Sequence, residues 1–197
     1  MPNSKVRITQ TLLSSFLWVF KKDDGYEDFL RTLNREKTPP TKAMLDGIRF
    51  ENVLNSVLNG EHLPEDNEWK FPITEMSYEL WGARQQVVLF QEMQIEDQTF
   101  LLHGVLDYLR GGHIWDCKFS KTYDLNKYIN SPQHPMYMAL VPEALDFTYI
   151  ICDGKYVYRE RYPRDIVPPI EPIIKNFMNF CKKHDLWKIF EEKWRVV

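Results

Sequence analysis

The sequence predicts an α/β fold in which helices flank a mixed central β-sheet. Apolar residues recur at helical spacing in the first part of the chain, alternate with polar residues in the middle, and return to helical spacing near the end. These parts cover about 1–85, about 86–165 and about 168–195. A length of 197 residues fits one compact domain, so we expect a single domain over 1–197.

The first part contains three segments with helical spacing. Thr9–Phe20 is amphipathic, Thr41–Leu58 is longer and ends before Gly60, and Ile73–Trp81 predicts a further short helix. The stretch between the first two, Gly25–Pro40, is polar and ends in two prolines. We therefore expect it to contain a connection.

Strands dominate the second part, and a helix closes the chain. Short β-rich segments are separated by polar residues or by glycine pairs, as expected for hairpins. The predicted strands are Gln86–Ile95, Phe100–Leu109, His113–Phe119, Leu145–Cys152 and Tyr156–Tyr162. Helical spacing is seen at Ser131–Val141, and again at Pro168–Trp194, where it carries an aromatic stripe.

Charge and cysteine content narrow the function classes. The net charge is −3, so a nucleic-acid-binding function must rest on a local basic patch. Three scattered cysteines match neither a disulfide framework nor the spacing of a zinc or iron–sulfur site. The sequence has no run of 18 apolar residues and no secretory h-region. We therefore expect a cytoplasmic protein without a membrane partner.

A pair of aspartates in a predicted hairpin is the strongest chemical signal. Gly111–Gly112 suits a two-residue hairpin loop, because primed turns need positive φ angles. The register that follows pairs Arg110 with His113, Leu109 with Ile114, Tyr108 with Trp115, and Asp107 with Asp116. Carboxylates placed directly opposite repel each other, and a divalent cation with oxygen ligands would offset that repulsion.

Lys118 lies beside this pair. Strand alternation places Ile114, Asp116 and Lys118 on one face, while Trp115, Cys117 and Phe119 face apolar packing. Two carboxylates, a cation and an ammonium group are suited to phosphodiester hydrolysis. The alternative is a pair of solvent-facing aspartates on an exposed hairpin. Asp153–Gly154–Lys155 has the same pattern, but its glycine predicts a turn and no partner carboxylate precedes it.

These residues resemble the PD-(D/E)XK nuclease superfamily, in particular its RecB-like and lambda-exonuclease-like branch. The branch has a glycine before an aspartate, a hairpin, and then D-x-K or E-x-K. It also has a downstream Q-x-x-x-Y helix and an upstream helix with a glycine followed by a metal-binding acid or histidine. The matching residues, in roughly half of the chain, are Gly47, Glu51, Gly104, Asp107, Asp116, Cys117, Lys118, Gln133 and Tyr137.

The resemblance implies a restriction-endonuclease-like core and a role for each of these residues. Glu51, Asp107 and Asp116, with the backbone carbonyl of Cys117, would hold one or two Mg²⁺ or Mn²⁺ ions, and no iron–sulfur cluster is expected. Lys118 would orient or activate the attacking water. The remaining predicted roles are contact with the substrate or bracing of the lysine by Gln133 and Tyr137, and phosphate contact by Lys121 and Lys127.

The implied function is a metal-dependent DNA exonuclease in recombination, repair or phage DNA processing. One alternative is a structure-specific endonuclease; another is a nucleic-acid-binding or protein-binding module that has lost activity. The expected partners are DNA, a recombinase, single-strand-binding protein or helicase, and further copies of the chain. A phage-encoded protein would act in the host cytoplasm.

Overall fold

A computed structural model describes residues 5–196, and it has the predicted α/β architecture. Six strands form one sheet: β1 (Val6–Thr9), β2 (Arg84–Ile95), β3 (Gln98–Arg110), β4 (His113–Phe119), β5 (Asp146–Cys152) and β6 (Val157–Pro163). Seven α-helices surround it: α1 (Gln10–Trp18), α2 (Gly25–Leu33), α3 (Lys42–Leu58), α4 (Lys70–Leu80), α5 (Gln133–Leu140), α6 (Glu171–Lys183) and α7 (Trp187–Trp194).

The sheet branches at β3. Strand β2 pairs antiparallel with β3 along nearly its whole length. On the opposite edge, β3 pairs first with β1 in parallel over Phe100–His103, and then with β4 antiparallel over Tyr108–Arg110. Strand β4 continues in parallel to β5, which pairs antiparallel with β6. The predicted mixed sheet is therefore confirmed.

Two hydrophobic clusters lie against the sheet. The first joins β1, β3 and β5 to α1, α2, α5, α6 and α7, with Phe16, Phe177 and Phe190 among its buried side chains. The second, smaller cluster packs α3 and α4 against other residues of β3, β4 and β5, through Phe50 and Trp115. Helices therefore flank the sheet as predicted. Near the branch, α5 contacts β3, α3 contacts β4, and α1 contacts α5.

Three details differ from the sequence-based expectation. Gly25–Pro40 contains helix α2, because Phe29 and Leu33 form a short apolar stripe that joins the first cluster. Strand β1 was not predicted, since four residues are too short to display a periodic pattern. The expected C-terminal helix is divided into α6 and α7 around Asp185, whose φ is +59°. Among residues 5–196, no helix is long and apolar enough to cross a membrane.

Candidate active site

The candidate site lies where β3 passes from one partner strand to the next. Neither β1 nor β4 pairs with β3 between Gly104 and Asp107. Helix α5 crosses this gap, and the Tyr137 hydroxyl donates to the carbonyl of Val105 at 2.8 Å. A Cβ on Gly104 would lie 2.9 Å from Cε1 of Tyr137 and 2.6 Å from Cδ1 of Leu140, so glycine permits the close approach of α5.

The predicted hairpin register is confirmed for three pairs, and the fourth pair differs. Tyr108 pairs with Trp115, but the ladder ends there and Asp107 does not pair with Asp116. Within the described sheet, Asp107 is the one residue of β3 that pairs with neither β2 nor β4. Its Oδ2 instead accepts a hydrogen bond from the backbone N–H of Cys117 at 2.9 Å. The strands diverge because the Asp107 carboxylate takes the place of a backbone partner.

A backbone irregularity in β2 faces the same point. Gln86 would be the partner of Asp107, but it is missing from the β2–β3 ladder and has a φ of +49°. This left-handed conformation is uncommon for a residue with a side chain. The Gln86 amide donates to Oε1 of Glu51 at 2.9 Å, which ties β2 to α3. Sequence reasoning missed Gln86, because its surroundings form an ordinary strand pattern.

Asp116 is the most enclosed acid of the site, with only 2% of its surface exposed. The side-chain amide of Gln133 donates to Oδ1. Lys118 Nζ lies 2.6 Å from Oδ2 and forms an ion pair with it. Among residues 5–196, no other donor reaches that oxygen. A buried carboxylate oxygen whose one partner is a single ammonium group can accept a further ligand.

Strand alternation in β4 agrees with the prediction. Ile114 is buried in the first cluster, whereas Trp115, Cys117 and Phe119 belong to the second. In β3 the alternation is interrupted at Asp107. Residues two positions apart in a regular strand share a face, but Leu106 belongs to the first cluster and Tyr108 to the second.

Burial, followed by repulsion among the acids, dominates the electrostatics. Burial and the neighbouring Asp116 carboxylate raise the pKa of Asp107 well above its ordinary value. The same two causes raise the pKa of Glu51. Burial would lower the pKa of Lys118, but Asp116 and Asp107 outweigh it and hold the pKa above its ordinary value. Lys118 is therefore an ammonium group at neutral pH.

A divalent cation, as the resemblance implies, would meet two carboxylates here. Among residues 5–196 the Lys118 ammonium is the one partner of Asp116 Oδ2, and burial and Asp116 raise the pKa of Asp107, so both carboxylates fit as ligands of such an ion. Glu51 lies close enough for the Asp116 charge to raise its pKa, while its carboxylate is hydrogen-bonded to Gln86 and Asn55. Within residues 5–196, no three acidic, histidine or cysteine side chains are gathered closely enough to enclose a metal.

The residues predicted to contact substrate fall in different places. Lys127 lines a cavity of about 350 Å³ together with Lys118 and Gln133. Helix α1 forms another wall of this cavity with Gln10, Ser14 and Trp18, and Lys21 in the turn after α1 extends it. Lys121 lies instead in a hollow beside Gly154 and Lys155. Tyr137 is engaged with the Val105 carbonyl and Gln133 with Asp116, so both brace the site.

The segment that carries Lys127 is fixed by one buried acid. Glu160 on β6 accepts hydrogen bonds from the hydroxyls of Tyr123 and Tyr162 and from the backbone N–H groups of Lys127 and Tyr128. The donor–acceptor distances are between 2.7 and 3.3 Å. One carboxylate thus holds the irregular segment after β4 against the sheet, with Lys127 beside the cavity.

Comparison with known proteins gives the fold and no family. No protein-family profile matches the chain, and no curated protein matches it. The chain is similar to a solved structure described as the crystal structure of SSO0001, with 14% sequence identity and a TM-score of 0.55. The match covers 88% of this chain and 76% of that chain. At this identity the likeness shows the fold alone.

Proposed function

We propose that the protein is a metal-dependent DNA nuclease of the PD-(D/E)XK type, acting as an exonuclease. The observation that carries the proposal is the buried Asp116 carboxylate, whose second oxygen has the Lys118 ammonium at 2.6 Å as its one partner among residues 5–196. Asp107 adds a second carboxylate, whose pKa is raised by burial and by the nearby Asp116. A fold stabilised only by packing would have little use for this arrangement.

Each residue has a task in this proposal. Asp107 and Asp116 would hold a magnesium or manganese ion, with Glu51 and the Cys117 carbonyl completing its ligands. The chemistry supplied by the bound ion is Lewis-acid polarisation of the scissile phosphate. Lys118, as an ammonium, would orient the attacking water and stabilise charge developing on the phosphate oxygens. Its raised pKa favours these roles over removal of a proton from that water.

The lysine-lined cavity supports nucleic acid as the substrate. Lys21, Lys118 and Lys127 bring three positive charges to one concave surface on a chain whose net charge is −3. Trp18 and Tyr128 lie on the same surface, and aromatic rings beside lysines are typical of sites that bind unstacked bases. These three lysines would supply the local positive charge that DNA binding by this chain requires.

Digestion of end-labelled linear DNA tests the proposal. We expect shortening with Mg²⁺ or Mn²⁺, none with EDTA, and none with Lys118→Ala; the labelled end gives the polarity. The matched control is Lys155→Ala, which alters the lysine of the second Asp-x-Lys tripeptide and should retain activity.

Closed circular DNA separates an exonuclease from a structure-specific endonuclease, because an exonuclease needs an end. Cleavage of circular or branched DNA would replace the exonuclease assignment with the endonuclease. If well-folded protein binds DNA but cleaves no form of it with either metal, the nuclease proposal is wrong and an inactive binding module replaces it.

A further inference from the structure

Strand β2 has an unpaired outer edge. It is 12 residues long and pairs only with β3 among the strands of residues 5–196. No backbone hydrogen bond within that part of the chain reaches the outer edge of β2 from another segment. A long strand with unpaired N–H and C=O groups is a template for another strand.

The central part of β2 lacks two common protections of an edge strand. Gln85–Gln91 contains no charged residue and no proline, and the irregularity at Gln86 is its one interruption. Val88 and Phe90 are 54% and 52% exposed, on the face that also carries His103 of β3. The Phe90 ring stacks on His103 with centroids 4.5 Å apart, so this apolar surface is ordered before any partner arrives.

Charges at the two ends of this segment are self-complementary. Arg84 and Glu92 lie on either side of Val88, four residues away in each direction, and both are exposed. An antiparallel pairing of two copies about a twofold axis at Val88 places Arg84 of each copy opposite Glu92 of the other. Such a contact is isologous and closes on itself, so it yields a dimer and not a fibre.

We propose that the β2 edge is a homodimer interface, in which two copies pair antiparallel about Val88. The pairing joins the two sheets into one continuous sheet and places Val88 of one copy beside Val88 of the other, on the face that also carries Phe90. The contact is centred on Val87–Leu89, since Gln86 interrupts the ladder with β3 and interrupts this one similarly. Glu92 already pairs with Lys5 of its own chain, but its side chain remains 59% exposed and accessible to a second partner.

Sedimentation velocity over a wide concentration range tests the dimer and its register. Val88→Glu places two carboxylates at the twofold axis and should leave only monomer. Arg84→Glu and Glu92→Arg each turn two attractive pairs into two repulsive ones, so each should weaken dimerisation about tenfold. The double variant Arg84→Glu/Glu92→Arg restores opposite charges and should recover most of the affinity.

Lys188→Glu, an exposed charge reversal on α7, is the matched control and should dimerise like the parent. Circular dichroism verifies that every variant is folded. The proposal is overturned if the parent chain is a monomer at all concentrations. A dimer that survives Val88→Glu, or that the double variant fails to restore, also overturns it. None of these outcomes depends on nuclease activity.

Discussion

The chain contains two Asp-x-Lys tripeptides with opposite environments. Asp116–Cys117–Lys118 lies inside β4, and its aspartate receives a donor from α5, a helix that begins 17 residues later. Asp153–Gly154–Lys155 forms the exposed turn between β5 and β6. The Asp153 carboxylate is satisfied locally, by the N–H groups of Lys155 and Tyr156 at 2.8 Å each and by the Tyr158 hydroxyl at 2.9 Å.

Asp153 stabilises its own turn, whereas the acids at the first tripeptide have no such local role. Burial acts to raise the pKa of Asp153, but donors from Tyr156 and Lys155 outweigh it and the pKa is lowered. Asp107, the neighbour of the first tripeptide, has a raised pKa because it is buried and because Asp116 repels it. The same Asp-x-Lys pattern therefore has different properties in the two places, because the tertiary fold surrounds each aspartate with different groups.

The largest expected effect is on turnover. Asp116→Ala removes a carboxylate that the proposed mechanism requires and should lower the rate of DNA cleavage by about a thousandfold or more. Asp153→Ala should leave the rate unchanged within error, since Asp153 only stabilises its turn. Single-turnover cleavage at saturating Mg²⁺ measures both. Full activity in Asp116→Ala would remove the first tripeptide from the mechanism.

A smaller effect concerns binding of DNA. Lys127 lies on the cavity beside Lys118, and Lys121 lies beside the second tripeptide. We expect Lys127→Ala to reduce the slope of log K against log salt by about 0.7–0.9, the value for one lost phosphate contact. Lys121→Ala should leave the slope unchanged. Fluorescence anisotropy in EDTA gives both slopes without cleavage, and equal effects of the two variants would contradict the separation of the lysines.

The pH dependence of the free energy of unfolding should have opposite signs for Asp107 and Asp153. The folded-state pKa of Asp107 is raised, so the parent loses stability as pH rises from the unfolded pKa through the folded one. Asp107→Asn has no such loss and should be more stable at neutral pH by about 1 kcal/mol.

The pKa of Asp153 is lowered, so its stabilisation is present above the unfolded pKa and lost as pH falls through the folded one. Asp153→Asn should therefore destabilise the protein at neutral pH and matter less in acid. Urea titrations at several pH values without metal give both signs. If both variants were destabilised at neutral pH, burial and repulsion of the Asp107 carboxylate would not determine how its stability contribution changes with pH.

The smallest effect is expected at Gln86. Glycine adopts its φ of +49° without strain, so Gln86→Gly should change the free energy of unfolding by less than about 1 kcal/mol. Its loss of the bond to Glu51 should nevertheless weaken Mn²⁺ binding, measured by electron paramagnetic resonance. Gly154→Ala is the contrasting change: at φ +102° it should destabilise the turn and leave Mn²⁺ binding unaltered. Unaltered Mn²⁺ binding in Gln86→Gly would show that Gln86 does not support the site.

Much of the fold could be predicted, because local patterns specify local structure. The strands around Gly111–Gly112 and the three ladder pairs nearest the turn followed from turn chemistry and alternation. The break at Asp107 could not be predicted, since it depends on a side chain taking the place of a backbone partner. Helix α2 and strand β1 were missed because tertiary packing, and not a strong local pattern, stabilises short elements.

The sequence predicted that the acids, the lysine and Gln133 of the candidate site lie together, but it did not predict the cavity wall formed by α1. Asp116 and Lys118 are in contact, and Gln133 reaches Asp116, because their spacing in the sequence reflects one strand and one helix. The contribution of Trp18 on α1 had no signal in the sequence, since more than 90 residues separate it from Lys118. Contacts of that range depend on the order of strands in the sheet.

Strand β1 has a consequence for how the protein folds. Its parallel partner on β3 begins at Phe100, and Val6 also forms a bridge with Arg195 while the Lys5 carbonyl accepts from the N–H of Val196. During synthesis, β1 emerges early but must wait for both partners, and such distant pairings are slow to form. Helix α1 follows β1 directly and lines the cavity, so we expect it to pack last. Nascent chains should then form most of the sheet before the candidate site is complete.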